Sequence, residues 1–155
     1  MRKILLPLVA ILVLTPAIAF ADLVTKVADG DTLSVMHEGK RVVIRLANVD
    51  APEKKQVFGA ASKKSLVSLC LDKEATYTTQ TIDRYGRNVA VVNCGGVEVN
   101  REQVIRGMAW AYTPYNKDTS LPALQEKAKN GKVGLWRGKH PTPPWLFRSN
   151  ALCKR

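Results

Sequence analysis

An α+β domain, with five strands curled into a small barrel and about three helices, is the fold class this sequence predicts. Three observations carry that expectation. Short runs alternate apolar and polar residues between turn signals, as half-buried strands do. A longer stretch with near-helical apolar spacing, 58–70, separates the third run from the fourth. After residue 98 the alternation gives way to helix start and stop signals.

Leu23–Ala28 is an apolar-rich strand that ends at Asp29-Gly30-Asp31. The D-G pair is a turn signal, because glycine accepts a positive φ at no steric cost. Thr32–His37 then alternates, with Leu33 and Val35 on one face, and Glu38-Gly39 reads as a hairpin turn. From Arg41 to Leu46, Val42, Ile44 and Leu46 face one way and Arg41, Val43 and Arg45 the other. The result is a three-stranded meander. In the helix that follows, Phe58, Ala61, Leu66, Leu69 and Cys70 share a face, although Gly59, Ser62, Ser65 and Ser68 lower its propensity. Asp72-Lys73 is a turn, Glu74–Thr81 a strand rich in Thr and Tyr, 83–87 a loop and Asn88–Cys94 the fifth strand. Such a set fits a five-stranded OB-type β-barrel, which closes its own sheet edges. An open α+β sheet of the same elements has the same periodicity.

Asn100 is placed as a helix N-cap, with Gln103 at the capping-box position and Val99 facing Val104 as a hydrophobic staple. That helix stops near Gly107, and Met108–Tyr115 reads as an aromatic loop. Ser120 caps a final helix carrying Leu121, Leu124 and Ala128 and ending at Gly131. The tail Pro141-Thr142-Pro143-Pro144-Trp145 is expected to be extended. Trp110, Trp136 and Trp145 are assigned to packing, and His37 and His140 to solvent.

The 155 residues suit one domain. Residues 1–21 form a signal peptide: basic Met1-Arg2-Lys3, an apolar run from Ile4 to Ile18, and Ala19-Phe20-Ala21 as a small-x-small cleavage pattern. The run falls short of the ~20 residues a spanning helix needs and contains Pro7 and Pro16. Residues 22–155 are thus expected outside the cytoplasm, secreted or periplasmic, with no stable membrane insertion after cleavage. Loss of Arg2 and Lys3 takes the net charge from +11 to about +9. An excess of that size on a small domain implies an anionic partner, most commonly a polyphosphate backbone, although charge alone does not separate nucleic acid from an anionic membrane. Of three cysteines in an oxidising compartment, Cys70 closes a helix and Cys94 a strand, so these form the favoured pair and Cys153 is left over. Other pairings remain open.

The chemistry centres on Arg45-Leu46-Ala47-Asn48-Val49-Asp50-Ala51-Pro52-Glu53. Pro52 stiffens the bend between Asp50 and Glu53. In a straight strand Arg45 and Asp50 would face opposite ways, so the chain must turn between them if both serve one site. Asp31, Asp50 and Glu53 are hard oxygen ligands without a soft partner, which suits calcium or magnesium. Arg45 and Arg87 offer permanent, bidentate charge to a phosphate. A carboxylate such as Glu53 can orient or deprotonate water.

Val27-Ala28-Asp29-Gly30-Asp31-Thr32, the 45–53 stretch and Asp83-Arg84-Tyr85-Gly86-Arg87, in that order, resemble the staphylococcal nuclease (thermonuclease) family. Val99-Asn100, Gly107-Met108-Ala109-Trp110 and Gly134-Leu135-Trp136 extend the resemblance over nearly all of Leu23–Trp145. It implies an OB-type barrel and calcium-dependent hydrolysis of DNA and RNA, in which water attacks in line and 3′-phosphate ends remain. By position, Asp31 and Asp50 resemble the calcium carboxylates. Ala51 stands where a backbone carbonyl coordinates, although the family often has Thr there. Glu53 resembles the general base, and Arg45 and Arg87 the phosphate clamp. Arg84, Tyr85 and one of Tyr112 or Tyr115 resemble the substrate contacts. The expected partner is single-stranded nucleic acid before duplex, and the expected state is a monomer. The segment Lys54–Gly59 is shorter than the mobile loop of the staphylococcal enzyme, which bears on substrate preference. A non-catalytic nucleic-acid-binding module on the same barrel is the competing reading. A calcium-bound protein adaptor is a third, and it leaves the basic charge unexplained.

Overall fold

The computed structural model describes residues 21–112, 114 and 117–152. Most of the expected signal peptide, Tyr115 and Cys153 lie outside them. In chain order the elements are β1 (Asp22–Val27), β2 (Thr32–His37), β3 (Lys40–Leu46), β4 (Val49–Asp50), α1 (Gly59–Cys70), β5 (Glu74–Ile82), β6 (Asn88–Cys94), β7 (Val97–Glu98), α2 (Val99–Ile105), β8 (Trp110–Ala111), α3 (Leu121–Asn130) and α4 (Pro144–Leu152). Among the described residues no helix is long and apolar enough to cross a membrane.

β1, β2 and β3 form the antiparallel meander. Glu38 and Gly39 both have positive φ, 45° and 76°, as a mirror-image two-residue hairpin turn requires. β5 pairs antiparallel with β6 and, at its start, with β1. The decisive contact is parallel: Ile44, Arg45 and Leu46 of β3 lie opposite Asn88, Val89 and Ala90 of β6. A parallel pair needs a long crossover, and the chain through α1 and β5 supplies it. The order β3-β2-β1-β5-β6 therefore returns to β3, and the strands form a closed five-stranded OB-type barrel rather than an open sheet.

Val24, Leu33, Val35, Ile44, Leu46 and Val92 fill the interior, joined by Leu66 and Leu69 of α1. Each buried aliphatic side chain contributes about 1.5–3 kcal/mol of transfer free energy. Cys70 and Cys94 are disulfide-bonded, tying the last residue of α1 to the last of β6. Closing a loop of that length stabilises by roughly 3 kcal/mol in the chain-entropy account.

The structure corrects several local expectations. Asn100 lies inside α2, not before it, and Glu98 takes the cap position. Asn100 turns inward, accepts from the Val92 N–H (2.9 Å) and donates to the carbonyls of Ala47 (2.9 Å) and Ala90 (3.0 Å). Gln103 likewise donates to Gly30 O (2.7 Å) and Ser62 O (3.2 Å). Residue types suited to capping serve instead to tie α2 to the backbone of the barrel. Part of the Met108–Tyr115 segment is β8, which pairs with β4; two-residue strands carry no alternation to read.

Residues 141–143 carry no regular structure, but from Pro144 the tail is helical, giving four α-helices rather than about three among the described residues. Its last proline, Pro144, opens α4, a position where the missing N–H costs nothing. Trp145 then docks against Trp110 and Tyr112, with ring centroids 5.7 and 5.5 Å apart. Ser120 makes no side-chain cap bond and contacts Asp118 and Arg101 instead. His37 is not simply solvated: its Nδ1 lies 3.0 Å from Asp22.

Asn100→Leu keeps the volume but leaves the Val92 N–H and two carbonyls without this partner. Unfolding should become easier by about 2–4 kcal/mol, read as a lower urea midpoint at unchanged slope. A midpoint equal to that of the wild type would show that the three bonds give no net stability.

Candidate active site

β3 carries Arg45 to the barrel rim, and Asn48, at φ 65°, then turns the chain sharply. The turn lets Arg45 and Asp50 meet despite their opposite strand parity. Nη1 of Arg45 donates to the carbonyls of Leu46 and Val49, both at 2.9 Å. Nη2 faces two carboxylates at once, Asp50 Oδ1 at 2.9 Å and Asp31 Oδ2 at 3.3 Å. Nε is left without a partner among the described residues.

Asp31 is held by its surroundings. Its Oδ2 accepts the Ala51 N–H (2.9 Å), its Oδ1 the Thr32 hydroxyl (3.0 Å), and its carbonyl the Leu46 N–H (2.7 Å). The preceding Gly30 is needed for space rather than for a positive φ, since a Cβ there would lie 1.8 Å from Ser62 Oγ. That close approach seats the Asp29–Asp31 turn on α1.

Asp50 is 1% exposed. Burial pushes its carboxyl up from the ordinary value, the Asp31 charge adds to the rise, and Arg148 and Arg45 oppose it. The Asp29 carboxyl is also pushed up, by burial and then by Asp31. Such crowding of buried negative charge favours a bound cation. Asp31 and Asp50 supply hard oxygens, as calcium or magnesium requires, so the residues fit such an ion. Among the described residues no three His, Cys, Asp or Glu side chains gather as a metal cage. A cation here would therefore rely on two carboxylates, backbone oxygen such as the Ala51 carbonyl, and water.

Glu53 follows on a loop pinned at both ends. Its N–H donates to Gln56 Oε1 (3.1 Å), and its carbonyl accepts the Gln56 N–H (2.8 Å). A Cβ at Gly59 would lie 2.0 Å from that carbonyl, so the residue that weakened the helix by propensity is the one the loop needs. Sequence reasoning missed the side chain that reaches Glu53, Arg148 of α4. Arg148 donates to Glu53 Oε1 (2.8 Å) and to both oxygens of Asp50 (3.1 and 2.8 Å). Only one local signal pointed to it. A proline opening a helix at 144 would have placed Trp145 and Arg148, three apart, on one face.

The opposite bank is the 83–87 loop. Asp83 accepts the N–H groups of Tyr85 and Arg87 (2.9 and 3.0 Å) and pairs with Arg87 Nε (2.7 Å). Tyr85 is 68% exposed, and the guanidinium carbons of Arg84 and Arg87 lie 4.9 and 5.4 Å from its ring centroid. Asp31, Arg45, Asp50, Ala51, Glu53, Arg84, Tyr85 and Arg87 all line one cavity of about 350 Å³. Tyr112 lines an adjoining groove of about 860 Å³, which shares Arg45, Arg84, Tyr85, Arg87 and Arg148 with the cavity. Tyr115 lies outside the described residues.

Residues 43–138 match the model of the staphylococcal nuclease homologue family. The chain belongs to the staphylococcal nuclease family. It is 45% identical to an uncharacterized endonuclease of Escherichia coli O157:H7 over 152 residues, covering 96% of this chain and 98% of that relative. Identity to a Haemophilus influenzae uncharacterized endonuclease is 42%, over 81% of this chain and 71% of the relative. A Shigella flexneri protein named micrococcal nuclease is 35% identical, over 90% and 87%. As a member of the staphylococcal nuclease family the chain is a nuclease, a phosphodiester hydrolase acting on nucleic acid. Asp31 and Arg148 fall outside the matched span, so the barrel and α4 bring to the site residues that the family model does not cover.

Burial raises the Asp83 carboxyl, but the stronger combined pull of its bonds from Arg87 and Tyr85 holds it below the ordinary value. A depressed folded value gives stability that is present above the unfolded value, near 4, and is lost as pH falls through the folded one. Asp83→Asn should therefore melt lower than wild type at pH 7, with the gap closing as pH falls through the depressed folded value. A gap that persists unchanged at pH 2 would mean that charge on Asp83 does not hold the loop.

Proposed function

We propose that this nuclease is an exported, calcium-dependent, sugar-non-specific endonuclease. It cuts DNA and RNA, prefers single strands, acts as a monomer and leaves 3′-phosphate ends. The observation that carries the reading is the pair of buried carboxylates, Asp31 and Asp50, converging on one nitrogen of Arg45 beside Glu53. Calcium, held by Asp31, Asp50 and the Ala51 carbonyl, would supply charge stabilisation to the phosphate when bound. Calcium is preferred to magnesium because the remaining ligands are carbonyls and water in a loose set, which suits its flexible coordination.

The chain's own residues do the rest. Glu53 takes a proton from the attacking water. The free Nε–H of Arg45 and the Nη groups of Arg87 donate to the non-bridging phosphate oxygens, on which charge builds as water attacks in line. Arg87 lines both the cavity and the groove, so it also donates a hydrogen bond to the departing 5′-oxygen, which takes its proton from solvent. Tyr85, exposed between two arginines, offers a face on which an unstacked base can lie, and Tyr112 lines the groove beyond it. Stacking of that kind favours single strands and ignores the sugar. Export is supported by the basic, apolar and small-x-small pattern of residues 1–21 and by the Cys70–Cys94 disulfide, which suits an oxidising compartment.

The purified protein should degrade single-stranded DNA with calcium and stop when a chelator is added. Glu53→Gln should slow cleavage by about 10²–10⁴-fold with little change in substrate binding. Arg87→Ala should do likewise, with a smaller salt dependence of binding. Tight, salt-sensitive binding without cleavage at any calcium concentration would overturn the reading.

A further inference from the structure

One planar fork spans the two carboxylates that flank the Pro52 bend. Arg148 Nη1 donates to Asp50 Oδ1 (3.1 Å) and Glu53 Oε1 (2.8 Å), and Nη2 donates to Asp50 Oδ2 (2.8 Å). With Arg45 on the same Oδ1, Asp50 has accepted three bonds and keeps one lone pair free, on Oδ2. The fork thereby fixes the distance and facing of Glu53 relative to Asp50. Arg148 and Glu53 are 41% and 40% exposed, and a pair so exposed is ordinarily worth little. Asp50 is the exception at 1%, so the contact ends on a desolvated carboxylate, where geometry and charge count for more.

The helix that presents Arg148 is itself held. Pro144 is buried, and Trp145 packs edge-on against Trp110. Gln56 donates to the Thr142 carbonyl (2.5 Å) while its Oε1 receives the Glu53 N–H. The tail and the Glu53 loop are therefore fixed to each other twice, by Gln56 on the Thr142 carbonyl and by Arg148 on Glu53.

Charge gives Arg148 a second effect. Asp29, Asp31, Asp50 and Glu53 all line the small cavity. Arg87 is engaged by Asp83 and Arg84 by Tyr85, so Arg45 and Arg148 are the cations that face those carboxylates directly. We propose that Arg148 is a positioning residue of this site, which fixes Glu53 against Asp50 and keeps the affinity for a divalent cation lower than the carboxylates alone would give. The proposal rests on the calcium-dependent reading above.

The test uses full-length Arg148→Gln, Arg148→Ala and Arg148→Lys. Calcium binding is measured by calorimetry without substrate, and steady-state cleavage of single-stranded DNA at saturating calcium. Removing the charge should tighten calcium binding by about tenfold or more in the Gln and Ala variants. Losing the fork should lower kcat by about 10–100-fold with KM within about threefold. Arg148→Lys keeps the charge without the planar fork, so it should restore the wild-type calcium affinity but not kcat. A merely structural residue would instead weaken calcium binding, turnover and melting temperature together, and that pattern would overturn the proposal. Wild-type kcat in Arg148→Ala, or unchanged calcium affinity in Arg148→Gln, would overturn it as well. If the wild type does not cleave, the nuclease chemistry proposed above fails on its own, and the calcium affinity of Arg148→Gln still decides the effect of the charge.

Discussion

The site depends on one guanidinium. Arg45 stands where β3 pairs with β6 to close the barrel, and its nitrogens join the carbonyls of Leu46 and Val49 to the carboxylates of Asp50 and Asp31. Two carboxylates packed this close would repel each other strongly at low dielectric. Arg45 offsets that repulsion and, in the same contacts, fixes the turn at Asn48 that brings Asp50 round. Fold closure and the anionic centre are thus a single feature of the chain. Disturbing either would disturb the other.

The remaining supports are polar groups turned inward. Gln103 holds the carbonyl of Gly30 and so fixes the turn bearing Asp31, while Asn100 joins β6 to the residue after β3. Such buried amides are costly to lose because each leaves backbone groups without partners. They explain how a short chain holds functional carboxylates steady on loops. A rigid barrel presents the turns, and α2 binds their backbones from behind.

The individual strands and the motif-bearing turns were legible because their physics is local. Alternation in Thr32–His37 and Arg41–Leu46 follows from one buried face, and the parity of Arg45 and Asp50 required the turn that Asn48 provides. What sequence could not carry depended on distant partners. Asn100 and Gln103 have the composition of a capping box, and only the barrel behind them reveals that their amides point inward. β4 and β8 are too short to alternate. Gly59 counted against a helix by propensity, whereas its absent side chain makes room for the carbonyl of Glu53. Arg148 lies nearly a hundred residues from Asp50, on a segment whose prolines suggested extension, and no local pattern links the two.

The arginines of the site therefore divide the work by how fully each is engaged. Arg45 donates three hydrogen bonds within the protein and its Nη2 also lies against Asp31, so Nε–H is the group it keeps for a phosphate. Arg87 is held through Nε by Asp83, which orients the planar group while leaving both Nη nitrogens for a ligand in the groove. Arg148 turns its fork on the carboxylates instead, and those bonds push its proton affinity above the ordinary value against the effect of burial. Because guanidinium keeps its charge throughout, none of the three can act as an acid or base at neutral pH. Proton transfer must then fall to a carboxylate. Of those lining the cavity, Asp31 accepts the Ala51 N–H and faces Arg45, Asp50 is bonded to two arginines, and Asp29 accepts the Asp31 N–H, whereas Glu53 is 40% exposed and has one of its oxygens engaged by Arg148. The proposal that Glu53 is the base rests on its position in the motif, and its second, unengaged oxygen is consistent with that role.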